Sequence, residues 1–114
     1  MSKILSEVID HALQDLKGQE ITVLDVTKLS NVMDTLVIVT GTSNRHVKSL
    51  ASNLVLDCKT AGFQPIGVEG IDAGDWTLVD FGDTVVHVML QSAREFYDLE
   101  KLWSTEPSSR KSQE

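Results

Sequence analysis

The chain has 114 residues, the length of one domain around one core, and its composition is that of an ordinary globular protein. No run reaches the ~18 apolar residues that a membrane span requires, and the opening Met1-Ser2-Lys3-Ile4 lacks the basic-then-apolar layout of a secretory signal, which predicts a cytoplasmic protein with no membrane contact. Seventeen acidic residues against ten basic ones give a formal charge of -7, which disfavours close approach to a bare phosphate backbone and predicts little direct RNA contact.

Ser2 is placed to cap a first helix whose apolar residues Ile4, Leu5, Val8, Ile9, Ala12, Leu13 and Leu16 recur at three-to-four spacing before Lys17 and Gly18 close it. Residues 20–26 and 35–40 are rich in β-branched residues and read as two strands. The second is almost continuously apolar, as a central strand covered on both faces would be. Thr27 to Asp34 suits a short turn or irregular link between them.

Ser43 is placed to cap a second helix that carries Val47, Leu50, Ala51, Leu54, Val55, Cys58 and Ala61 on one face and ends at Gly62. Cys58, the single cysteine, reads as a small buried apolar residue; alone it forms no internal disulfide and supplies no thiolate set for zinc. Pro65 to Glu69 reads as a short edge strand, because proline cannot donate to a ladder, and Gly70 to Gly74 as a loop. Residues 75–81 and 84–91 form a hairpin about Gly82-Asp83, a pair that suits a two-residue type II′ turn. Ser92 and Glu95 have the spacing of a capping box opening a last helix on which Phe96, Leu99 and Trp103 share an inward face while Tyr97 points elsewhere. The domain is thus assigned to residues 1–103, and residues 104–114, with no apolar anchor, to a flexible tail.

The order α-β-β-α-β-β-β-α predicts an α/β fold: one domain with a mixed five-stranded sheet, a βαβ crossover in the middle and an antiparallel hairpin at the end. The Gly82-Asp83 turn sets Asp80 opposite Val85, Val79 opposite Val86, Leu78 opposite His87, Thr77 opposite Val88 and Trp76 opposite Met89. One face then gathers Thr77, Val79, Phe81, Thr84, Val86 and Val88 and reads as core. The other gathers Trp76, Leu78, Asp80, Val85, His87 and Met89, a mixture that a dry core accepts only if each polar group has a partner. Two readings stand for that second face. Either Trp76 and Met89 supply contact area and Asp80 and His87 directed bonds to a protein partner, or the first or last helix covers the face and satisfies both polar groups internally.

Enzyme readings are weaker. Gly41-Thr42-Ser43 leads from a strand into a helix, where backbone N–H groups suit a phosphate, but metal-dependent nucleotidyl transfer needs paired carboxylates and no Asp-x-Asp follows on the next strand. A Ser43–His46 or Ser43–His87–Asp80 hydrolase lacks any nucleophile-elbow pattern, and Ser43 is explained by its cap role. His11, His46 and His87 fall on three elements without zinc spacing, so neither a metal nor a cofactor is expected.

Five ordered blocks carry a resemblance: Gly41-Thr-Ser-Asn-Arg-His-Val47, Gly67-Val-Glu-Gly70, Asp75-Trp-Thr-Leu-Val-Asp80, Gly82-Asp-Thr-Val-Val-His-Val88 and Arg94-Glu-Phe-Tyr-Asp-Leu-Glu-Lys-Leu-Trp103. Together they resemble the ribosomal silencing factor, or Iojap-like, family, from the first helix through Trp103. The resemblance implies a nucleotidyltransferase-like fold without the catalytic acids. It further implies a protein that is not an enzyme, binds the large ribosomal subunit through its ribosomal protein number fourteen, and sterically stops the small subunit from joining when nutrients are scarce. By position, Trp76, Leu78, Asp80 and His87 fall in the family's hairpin signature, and Arg94, Tyr97, Glu100 and Trp103 in its terminal-helix signature. The expected partner-binding residues are Trp76, Leu78, Asp80, His87, Met89 and Tyr97, whereas Arg94 and Glu100 read as a local ion pair worth little. A homodimer built on the Trp76 face is the competing expectation.

Overall fold

The computed structural model describes residues 4–103, so the Ser2 cap and the tail expected over residues 104–114 lie outside the described residues. The elements are α1 (Leu5–Asp15), β1 (Gln19–Asp25), β2 (Thr35–Gly41), α2 (Asn44–Thr60), β3 (Gly67–Glu69), β4 (Trp76–Asp80), β5 (Thr84–Leu90), α3 (Gln91–Tyr97) and α4 (Leu99–Leu102). The five strands form one mixed sheet in the order β1-β2-β5-β4-β3, in which β2 and β5 are parallel and the other neighbours antiparallel. The α/β architecture is the expected one. The strand at the middle of the sheet is β5, however, with β2 beside it.

The parallel pair forces a crossover, and α2 supplies it. Ser43 caps that helix as its sequence predicts: the Oγ accepts from the His46 backbone N–H at 3.0 Å. Val47, Leu50, Ala51, Leu54 and Cys58 are buried on one stripe. From α1, Val8, Ile9, Ala12 and Leu13 join them, and both helices close over Val37, Val39, Val79, Val86 and Val88 of the sheet. At the end of α1 the left-handed residue is Lys17, with φ 61°, while Gly18 serves close packing: a Cβ there would lie 2.6 Å from Val39 Cγ2.

The opposite sheet face is covered differently. A second cluster joins Leu36 and Ile38 of β2, Met89 of β5, Val26 from the β1–β2 link, and Leu99 of α4. Two expectations for the C-terminal segment are corrected here. α3 starts directly off β5 with Leu90 at the cap position and no side-chain cap bond, so Ser92 falls inside the first turn and builds no capping box. Asp98, at φ 50° and ψ 54°, then breaks the helix, and the phase of the apolar stripe is lost across it. Leu99 turns inward at 9% exposure while Phe96, expected on the same face, stands 80% exposed.

Candidate functional site

The hairpin pairs as the turn predicts: Trp76 with Met89, Thr77 with Val88, Leu78 with His87, Val79 with Val86 and Asp80 with Val85. Gly82 has the positive φ, 96°, that the first turn position of a type II′ hairpin requires. Of the inward face, Thr77, Val79, Val86 and Val88 are fully buried, while Phe81 and Thr84 next to the turn are half-buried. The outward face divides. Towards β2 it is sealed by Val26, Leu99 and their neighbours, and Met89 has no exposed surface, which corrects its expected role as an outward contact. Towards β4 it stays open, with Trp76, Leu78, Asp80 and Val85 all half-buried.

Four aromatic rings run from that opening outward. The His87 and Trp76 ring centroids are 5.8 Å apart, those of Trp76 and Tyr97 4.5 Å, and those of Tyr97 and Phe96 5.0 Å with the last two edge to face. Exposure rises along the row, from 7% at His87 to 51% at Tyr97 and 80% at Phe96. At its inner end the Trp76 Nε1–H donates to His87 Nδ1 at 2.9 Å. Burial pushes the His87 imidazolium pKa down to about 4, so the ring is neutral at pH 7. Asp80, two residues along β4 from Leu78, accepts the Gly82 N–H at 2.8 Å through Oδ1, which ties one carboxylate oxygen to the hairpin turn.

Tyr97 reaches Trp76 because α3 is anchored by Arg94, whose role the sequence reading missed. Arg94 is 6% exposed. Its Nε and Nη2 donate to the two Glu100 oxygens, each at 3.0 Å, Nη1 to the Glu20 carbonyl at 2.7 Å and the Thr40 hydroxyl at 2.8 Å, and Nη2 also to the Thr22 hydroxyl at 2.9 Å. Glu20 itself has φ 50°, at an irregularity in the β1–β2 register between Gln19 and Thr22, and its carbonyl accepts from the guanidinium. The hydrogen bonds from Arg94 hold the Glu100 carboxyl below its ordinary pKa. The expected weak surface pair is thus a buried fork tying β1, β2, α3 and α4 together. The spacing was a usable signal: residues six apart do not meet on a continuous helix, so an Arg94–Glu100 pair implies a break between them.

The residues of the enzyme readings are otherwise engaged. The His46 Nδ1 accepts the Thr42 N–H at 2.8 Å and its Nε2 donates to the Leu16 carbonyl at 2.7 Å, so the ring fastens the β2–α2 turn to the end of α1. A crevice of about 470 Å³ lies at the carboxyl ends of β2 and β5, where α/β sheets often bind ligands, but Gln19, Thr40, Gly41, Thr42, Leu90, Gln91 and Ser92 line it. None of these is a carboxylate that could hold a metal over phosphates.

Charge is distributed unevenly around the open face. Between Lys59 and Arg94 the chain carries Glu69, Asp72, Asp75, Asp80 and Asp83 and no Lys or Arg, so β3, β4, β5 and their loops are purely acidic. The strands that carry Trp76 and His87 therefore contribute acidic side chains and no Lys or Arg of their own.

A family profile described as "Ribosomal silencing factor during starvation" matches residues 2–114. The chain belongs to the ribosomal silencing factor family. Among relatives of this family, the Haemophilus influenzae ribosomal silencing factor is 46% identical over 100 residues, covering 88% of this chain and 98% of that protein. A crystal structure of a Chromobacterium violaceum protein superposes with a TM-score of 0.87 at 44% identity, covering 90% of this chain and 85% of that one. The chain is also similar to the mouse protein named mitochondrial assembly of ribosomal large subunit protein 1, 39% identical over 97 residues that make up 81% of this chain and 42% of that protein.

Proposed function

We propose that this member of the ribosomal silencing factor family docks on the large ribosomal subunit, against its ribosomal protein number fourteen, and prevents the small subunit from joining by occupying space. It acts in the cytoplasm and catalyses nothing. The observation that carries this reading is the aromatic row left open beside β4: Trp76, Tyr97 and Phe96 present large rigid surfaces of the kind that dominate protein interfaces. Trp76, Leu78 and Tyr97 make the apolar contact, Asp80 and His87 supply polar bonds, and Met89 supports Trp76 from within the cluster beneath.

The bordering acids select a basic protein surface and disfavour direct RNA contact. Self-association through the same face would bring two sets of these carboxylates together, so the face is read as one for a different, basic partner rather than for a homodimer. Co-sedimentation with purified large subunits, paired with a subunit-joining assay, tests the reading. Trp76→Ala should lose at least roughly tenfold in affinity, the loss typical of a truncated hot spot, and should restore joining. A Trp76→Ala chain that binds and blocks as well as the parent refutes the site.

A further inference from the structure

The hydrogen bond between Trp76 and His87 fixes more than a ring orientation. An indole N–H only donates, so the His87 nitrogen that receives it, Nδ1 at 2.9 Å, is unprotonated. Burial keeps the ring neutral at pH 7. A neutral imidazole with a bare Nδ1 carries its single proton on Nε2. Among the described residues Nε2 has no hydrogen-bond partner, and no fully buried side-chain nitrogen or oxygen among them lacks one. The 7% of His87 that remains accessible therefore includes this N–H.

His87 sits between Leu78, its pair on β4, and Ile38, its pair on β2, on the outward face and at the inner end of the aromatic row. An N–H at such a place is a donor of fixed direction in apolar surroundings. It discriminates by chemistry, because covering it with an apolar group or with another donor leaves a polar atom unpaired.

We propose that His87 is a specificity-determining residue of the docking face, donating through Nε2–H to an acceptor on the partner, and that Trp76 sets this polarity by holding Nδ1 as acceptor. The partner segment over His87 is thus a protruding carbonyl, from the backbone or an amide side chain, while its cationic groups lie towards Asp80, a diagonal neighbour on β4 about 7–8 Å away. Trp76 has two functions in this account, as contact surface and as the group that selects the tautomer. The inference rests on the docking face proposed above.

The test uses the full chain and purified large ribosomal subunits. Long-range proton–nitrogen NMR of the free wild-type chain should show His87 as the Nε2–H tautomer at pH 7, and a Trp76→Phe chain should show mixed tautomers. In His87→Asn the side-chain oxygen can still accept from Trp76, but no atom occupies the Nε2 position. That variant should remain folded at the binding temperature by circular dichroism and bind large subunits roughly tenfold more weakly, the loss expected when a buried acceptor is left unpaired. His87→Gln, which places an N–H near the Nε2 position, should recover part of the loss.

A Trp76→Ala chain run alongside separates the two readings. If it binds weakly while His87→Asn binds like wild type, the face stands and the role of His87 is overturned; if Trp76→Ala binds like wild type, the face itself fails. An Nδ1–H tautomer in the wild-type spectrum overturns the proposal whatever the variants do.

Discussion

Replacing Arg94 by methionine keeps the length and apolar stem of the side chain and deletes the guanidinium, which isolates the fork described above. Five hydrogen bonds are lost at once, to both Glu100 oxygens, the Glu20 carbonyl and the hydroxyls of Thr22 and Thr40. Removing one partner of a fully buried ion pair costs about 3–5 kcal/mol, because the remaining charge has no counterpart. Here the Glu100 side chain is 38% exposed, so water takes over part of its solvation and the lower end applies. The expected destabilisation is about 3 kcal/mol, which for a domain of this size lowers the melting temperature by roughly 10–20 °C.

Urea and thermal unfolding followed by circular dichroism measure it. Glu100→Gln keeps one oxygen acceptor and the three bonds from Arg94 to β1 and β2 but leaves the buried guanidinium without a counter-charge, so it should cost about 2 kcal/mol, less than Arg94→Met. A loss below about 1 kcal/mol for Arg94→Met, or equal losses for the two variants, would refute the view that the guanidinium joins four elements and does not merely pair with one carboxylate.

Lys17→Gly should stabilise the chain by about 0.5–1 kcal/mol, because Lys17 is held at φ 61° and glycine adopts that conformation without the Cβ penalty; a chemical-denaturation midpoint that fails to rise would count against it. Stability should also fall as the pH drops from 6.5 towards 4, since over that range the unfolded chain takes up a proton at His87 that the folded chain does not. Between pH 7 and pH 4.5 the loss is about 2 kcal/mol, read as the excess pH dependence of wild type over His87→Phe in urea unfolding at those two pH values.

The parts of the fold that the sequence made legible are those governed by local rules. Ser43 declares a helix start because its cap bond closes within three residues, and Gly82-Asp83 dictates the pairing of every residue in the hairpin because a two-residue turn admits one register. Which hairpin face is core follows from the same alternation, and Val79, Val86 and Val88 are buried accordingly. How far the opposite face is covered does not follow, because the cover is made by Val26, Leu99 and Trp103, which arrive from two distant segments. The Asp98 break moved Phe96 out and Leu99 in, and no periodicity argument survives a left-handed residue in the middle of the repeat. Arg94 was misjudged for a related reason. Its partners Glu20 and Thr22 lie more than seventy positions away, so apart from the six-residue spacing to Glu100 nothing near it in the chain distinguishes it from a solvated helix charge.

The position of the open face has a topological cause. A parallel pair requires a crossover and is normally buried on both sides, whereas antiparallel strands tolerate one face in solvent. In this sheet the parallel pair is β2 and β5, and both of its faces are indeed covered: α1 and α2 lie over Val37, Val39, Val86 and Val88, and the Leu99 cluster over Leu36, Ile38 and Met89. The antiparallel flank begins at β4, and there the outward cover stops. His87 lies on that boundary, with a sealed neighbour in Ile38 on one side and the half-buried Leu78 on the other. A polar ring there is buried enough to be held neutral by its surroundings and open enough for one nitrogen to reach a partner. One strand further in, at β2, the same imidazole would need an internal acceptor for Nε2; one strand further out, water would compete for it. The chemistry assigned to the docking face therefore depends on where the sheet changes from parallel to antiparallel, and on Trp76 standing at that line.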